Sequence, residues 1–201
     1  MVKTKKKQSE KTERLVLLAL LTALVAVLAY YGGFIKIGGL ASISLTLIPV
    51  VVGATLCGAY AGAWLGGVSG LIFLFTPDAA MWLSLNAPGT VITVMVKGIL
   101  SGFCAGLVYK LLKNYNRYFS VLVSAIICPF VNTGLFLLGS LIFFMDIVNL
   151  GAAESGISAG MYLIVAFVGV NFVFELLTNI AVTPAIVRIL DISQKMFKKS
   201  K

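Results

Sequence analysis

The chain of 201 residues is 60% hydrophobic and only 11% charged, with a mean hydropathy of +1.04, whereas soluble domains carry roughly 25% charged residues. Its net charge of +9 comes mainly from basic blocks that flank apolar runs: Lys3, Lys5, Lys6, Lys7, Lys11 and Arg14; Lys110, Lys113 and Arg117; and Lys195, Lys198, Lys199 and Lys201. This placement argues against a nucleic-acid partner and predicts an all-α integral membrane protein in contact with lipid.

Residues 1–14 form a basic N-terminal tail, followed by an apolar run over 15–35. The run is too long for a signal-peptide core and more spans follow it, so it is expected to stay as the first helix. Lys36 marks the exit from the hydrocarbon. One helix over 44–75 would be about 48 Å long, against a hydrocarbon core of about 30 Å, so a cut near Gly58 into two short helices is expected. The fourth span is predicted over 91–112, with Pro88-Gly89 just before it, and it ends in the basic turn KLLKNYNR. The fifth covers 119–145, a more polar, glycine-rich stretch covers 146–160, and the sixth span covers 161–190. Residues 191–201 form a basic C-terminal tail.

Residues 15–190 are thus expected to form a domain of six transmembrane helices. Its two termini lie on one side, and the positive-inside rule makes that side the cytoplasm. The cytoplasmic segments then hold 14 Lys/Arg against three acids, whereas the external loops hold Lys36 against Asp78, Asp146 and Glu154. An odd number of spans would break this asymmetry.

Membrane helices associate through close contact of small side chains. Gly58, Gly62, Gly66 and Gly70 recur at four-residue spacing, as do Gly98, Gly102 and Gly106, and each set gives a smooth face for a neighbouring helix. Ala19 and Ala23 form an AxxxA pair that Ala26 continues. That stripe suits another span of the chain or a partner subunit.

Ionisable groups inside a membrane are costly. Lys97 is expected to line a cavity, pair with an acid or carbonyl, or snorkel to a surface. Glu175 shares a helical face with Asn171 and Asn179 at four-residue spacing, as a hydrogen-bond ladder or a recognition surface. Asn132 and Thr133 follow Pro129, which can kink the helix and free carbonyl groups. Near the expected external openings, Tyr30 and Tyr31 precede Trp82, Ser84 and Asn86 in TPDAAMWLSLNAPG. These suit an interfacial belt, or a lid in which Trp82 stacks on a ligand and Asn86 hydrogen-bonds it. Cys57, Cys104 and Cys128 lie in apolar stretches without a CxxC, so neither metal ligation nor a disulfide framework is expected.

The stretches LLALLTALVAVLAYY, LTLIPVVVGATLCGAYAGAWLGGVSGLIFLF and NAPGTVITVMVKGILSGFCAGLVYKLL resemble the substrate-binding S components of energy-coupling factor (ECF) transporters, over residues 12–192. The resemblance implies six helices, both termini inside, and a vitamin bound near the external face with help from loops at 36–43, 76–90 and 146–160. It also implies that Ala19 and Ala23, extended by Ala26, contact a transmembrane coupling subunit. Tyr60 in LCGAYAGA stands where the family commonly has the proline of a GPxxG turn.

The expected function is capture of a scarce water-soluble vitamin or related micronutrient at the cell membrane of a prokaryote. The chain has no GxxxxGK[ST] loop, no histidine and no evident catalytic constellation, so it is expected to be non-catalytic and to bind no cofactor. ATP would be used by two partner ATPases joined to the coupling subunit. Trp82, Asn86, Lys97, Asn132 and Glu175 form the expected substrate site. Riboflavin offers a ring to stack and a polyol to bond, and pantothenate a carboxylate for Lys97, with the flavin slightly preferred and cobalamin, a pyridoxine-like compound and other micronutrients left open. The alternatives are a stand-alone proton-coupled transporter using Lys97 or Glu175, and a non-transporting membrane adaptor.

Overall fold

A computed structural model describes residues 2–31 and 45–199. The regular elements among them are all helical: α1 (Val2–Tyr31), α2 (Leu47–Cys57), α3 (Ala59–Phe73), α4 (Pro77–Leu112), α5 (Arg117–Phe143), α6 (Met145–Ser155), the short α7 (Ala159–Tyr162), a π-helical segment (Leu163–Val168) and α8 (Gly169–Lys199). Among the described residues four stretches are long and apolar enough to cross a membrane: Thr12–Tyr31, Pro77–Leu112, Arg117–Phe143 and Phe172–Ile192. The other two expected crossings fall on α2 and α3, with 11 and 15 residues. At about 1.5 Å per residue each is shorter than a hydrocarbon core of about 30 Å. The expected loop at 36–43 lies outside the described residues.

The break between α2 and α3 falls at Gly58, whose φ of 103° is open to glycine and strained for other residues. After a short turn at residues 74–76, α4 runs antiparallel to α3. The smooth faces expected from the spacing turn out to meet each other: a Cβ on Gly62 would strike the Gly102 carbonyl, and one on Gly66 the Gly98 carbonyl. Gly106 packs on Ala59 at the α2–α3 turn. Buried apolar groups from α1, α2, α3, α5 and α8, including Val25, Val51, Leu65, Val121 and Ile186, complete the main core.

Two stretches read as loops are helical. Thr76 caps α4 by accepting from the Ala79 N–H, Pro77 occupies the first turn and Asp78 supplies an acid there, a full set of helix-start signals. The chain is therefore helical from Pro77, with a kink at Asn86 (φ −155°, ψ 91°), well before the predicted start at 91. The stretch after 145 forms α6, which ends at Gly156 in the left-handed region (φ 66°). The expected sixth span is interrupted as well, because the π-helical segment precedes Gly169 at φ 20°.

The contacts set the polarity of the bundle. The end of α4 and start of α5 adjoin, Arg117 bridges from α5 to Asp191 late in α8, and Arg14 of α1 lies within electrostatic reach of Cys57 at the end of α2. The basic segments at Arg14, at Lys110 to Arg117 and at Arg188 thus gather at one end of the bundle, opposite the start of α4.

Candidate functional site

Lys97 projects from the middle of α4 toward aromatic rings. Its Nζ lies 4.7 Å from the centroid of Phe136 on α5 and 5.7 Å from that of Phe73 at the end of α3. Both distances fall within cation–π range. The side chain is half-buried, and Glu175 on α8 acts on it electrostatically.

The register of α4 against α5 places Asn132 at the same level. Ser124 Oγ donates to the Ala105 carbonyl (2.9 Å), Cys128 meets the Ser101 side chain, and Gly139 packs on Thr93. Continuing that antiparallel spacing sets Asn132 opposite Lys97. Asn132 is buried. Glu175 is also buried, and its backbone carbonyl accepts from Asn179 Nδ2 (2.8 Å). Cys128 lies within electrostatic reach of Glu175, and Phe130 stacks edge-on against Phe172 (4.9 Å), which brings α8 to this level of α5. The ladder reading of Glu175 with Asn179 is thus realised in part, through a side chain donating to a backbone carbonyl. Asn171's side chain lies outside the described residues.

Phe136 links this cluster to Trp82. The Trp82 ring meets Phe136 edge-on at 5.8 Å and Phe144 at 5.2 Å. Val148 of α6 and Leu163 of the π-helical segment are buried in the same apolar group, with Trp82, Phe136, Met145 and Tyr162 packed around them. Trp82 therefore sits beneath α6 and α7 and not on an open loop.

Asn86 has its amide committed to the backbone. Its Oδ1 accepts from the Gly89 N–H (2.9 Å), capping the second part of α4, and its Nδ2 donates to the Phe143 carbonyl (3.3 Å). Thr90 Oγ1 lies within hydrogen-bond distance of the carbonyls of Trp82 and Asn86, 2.8 Å from each. These bonds hold Trp82's helical turn against α5 across the kink.

The cluster joins a cation, a carboxylate, an amide and aromatic rings from different helices, which suits recognition of a polar molecule with a ring. No group of three or more His, Cys, Asp or Glu side chains that could hold a metal occurs among the described residues. The family model for the ECF transporter substrate-specific component matches residues 13–187. The chain belongs to this family.

The membership makes the chain a transport subunit that binds substrate, an S component, and not a catalytic enzyme. No curated protein matches it. In this S component the alanine stripe faces outward: Ala19 and Ala23 are exposed and Ala26 is half-buried, while Leu21 and Val25 turn into the core. The described spans leave Ala19 and Ala23 uncovered. Nearby, Trp64 Nε1 of α3 donates to Thr22 Oγ1 (3.2 Å), pinning α3 to α1.

Sequence reasoning overlooked Phe73, Phe136 and Thr90. Phe136 follows Asn132 by one helical turn, so its place on the same face of α5 was open to inference from spacing. Phe73 carries no such signal, because its approach to Lys97 depends on how α3 docks against α4.

Proposed function

We propose that the chain is the substrate-binding subunit of an ECF-type ABC importer in a prokaryotic plasma membrane. It captures a water-soluble vitamin or related micronutrient from outside, with a riboflavin-like molecule ahead of pantothenate. Six crossings put both termini in the cytoplasm, consistent with the gathering of the basic segments at one end of the bundle.

The observation that carries this reading is the mid-bundle cluster of Lys97, Glu175 and Asn132, joined through Phe136 to Trp82. Intramembrane ionisable groups are costly and mark substrate paths. Trp82, Lys97, Asn132 and Glu175 contact the substrate, and Asn86 completes the site where it holds the turn that carries Trp82.

Energy comes from partners. An EcfT-like transmembrane coupling subunit and two cytoplasmic ATPases receive the loaded S component, and ATP is hydrolysed there. The exposed Ala19 and Ala23, with Ala26 beside them, form the face for the coupling subunit, since small side chains let two helices approach closely.

Native mass spectrometry of the gently solubilised protein, expressed in rich medium, tests the capture role. A retained vitamin at one per chain is the expected result. A folded, empty protein that then binds no member of a vitamin panel overturns it.

A further inference from the structure

We propose that the substrate is a planar heterocycle whose ring carries a cis amide edge, an N–H beside a C=O as in a lactam or cyclic imide, and that Asn132 reads that edge. This rests on the capture role above and names the chemical feature by which the substrate is selected.

Buried polar groups almost always find hydrogen-bond partners, because an unmet one bears its full desolvation penalty. The buried hydroxyls along α4 and α5 follow that rule: Ser101 donates to the Gly98 carbonyl, Ser124 to that of Ala105 and Ser140 to that of Phe136. Among the described residues, two buried polar side chains have no partner, Asn132 at 7% exposure and Thr93 at 6%. Both lie where α4 meets α5, on either side of Phe136. Asn132 precedes Phe136 by one turn of α5, and Thr93 packs on Gly139, nearly one turn beyond it. The Thr93 hydroxyl is sealed from solvent. The Asn132 amide is not sealed, so an incoming molecule can reach it. Opposite Asn132, the half-buried Lys97 holds its Nζ 4.7 Å from the Phe136 ring.

A side-chain amide presents one acceptor and one donor side by side in a plane. Its complement is a donor beside an acceptor, the pairing by which Asn holds the edge of a base through two hydrogen bonds. An open-chain secondary amide is trans and points its N–H and C=O to opposite sides, so it meets Asn132 through one bond only. Ring closure forces the amide cis and brings both groups to one edge. The neighbours of Asn132 suit such a ring. Phe136 and Trp82 supply aromatic surface, and Lys97 is placed to donate to a second carbonyl. An amine donates N–H bonds whether charged or neutral, so the selection makes no demand on the charge of Lys97. The isoalloxazine ring of a flavin carries an imide of this kind. Pantothenate, with an open-chain amide, and pyridoxine, with none, do not.

The test uses the purified full-length protein and isothermal titration with heterocycles that each carry one ring amide N–H, against counterparts methylated at that nitrogen. The pairs are riboflavin and 3-methylriboflavin, 1-methyllumazine and 1,3-dimethyllumazine, 1-methyluracil and 1,3-dimethyluracil, and 9-methylhypoxanthine and 1,9-dimethylhypoxanthine. At least one parent is expected to bind, and its methylation should weaken binding by about tenfold or more. N132A removes both the pair and the side chain that the methyl would strike. In that variant the parent should bind more weakly and the methyl should cost less than about threefold. A methylated member that binds wild type as tightly as its parent, or a methyl cost that persists in N132A, overturns the proposal while leaving capture standing. So does a protein that binds none of these parents but binds pantothenate, pyridoxine or another vitamin without a cis amide edge. If the folded protein binds no vitamin at all, the capture role falls and this inference with it. Should N132A not fold or not bind, the wild-type ratio alone decides.

Discussion

Lys97 Nζ sits 4.7 Å from the centroid of the Phe136 ring, a contact that ties the costliest cation of α4 to α5. A cation over an aromatic face contributes about 0.5–2 kcal/mol, depending on desolvation. Replacing Phe136 with Leu keeps apolar bulk and removes the π face, and it also removes Trp82's edge-on partner. The expected outcome is a protein that folds and binds its ligand about three- to thirtyfold more weakly, read by titration with the molecule that copurifies. Unchanged affinity would remove Phe136 from the site.

Lys97→Met tests the cation directly. It should lower ligand affinity by at least about tenfold, and it should also destabilise the protein, since the buried Glu175 loses the cation within its electrostatic reach. The double variant K97M/E175Q is expected to recover thermal stability but not affinity. A double-mutant cycle in detergent measures this coupling, and additive stability losses would show that the two residues do not act on each other.

The glycine faces of α3 and α4 were legible in the sequence because a four-residue repeat of a residue without a side chain has one geometric consequence on a helix. The structure joins Gly62 to Gly102 and Gly66 to Gly98 accordingly. The contact of Lys97 with Phe136 was not legible, since it depends on the offset between two helices, which single-helix periodicity leaves open. At Asn86 a further role went unread. Its polar side chain near an expected external opening suggested a ligand contact, but its capping role is visible only once the chain is helical from Pro77. The signals for that start, Thr76, Pro77 and Asp78, were present and outweighed by the assumption that a stretch between membrane spans is a loop.

Gly66→Ala should be expensive. The new Cβ would run into the Gly98 carbonyl, which is backbone and cannot rotate away, so α3 and α4 must separate. Overpacking of this kind costs about 1–3 kcal/mol. Gly134→Ala on α5 is the control, because nothing lies within 4 Å of its added methyl and helical alanine is favoured over glycine. Thermal unfolding in detergent should show a clear drop for the first and no drop for the second.

Ala19 and Ala23 face outward, while Leu21 and Val25 between and beyond them face the core. Replacing both alanines with leucine should leave the unfolding temperature and ligand affinity of the isolated subunit unchanged. Capture by a coupling subunit and its ATPases should fall by at least about tenfold, because close helix approach is blocked. Leu21→Ala should do the reverse, costing about 2–5 kcal/mol of stability through a cavity. Equal loss of ligand binding and assembly in the double leucine variant would mean that α1 had lost its fold.

Asn86 makes two bonds that can be separated. Asn86→Ala removes the acceptor that caps Gly89 N–H and the donor to the Phe143 carbonyl, and loss of a cap costs about 1 kcal/mol. Asn86→Asp keeps the cap acceptor and loses only the donor, so its stability should fall between alanine and wild type. If Asn86 acts through the turn that carries Trp82, ligand affinity should follow the same order, with aspartate recovering part of what alanine loses. A direct ligand contact through the amide N–H would instead leave aspartate as weak a binder as alanine while its stability recovers. Unfolding temperature and ligand titration on the three proteins therefore separate positioning from contact, a distinction that the bonds to Gly89 and Phe143 make available.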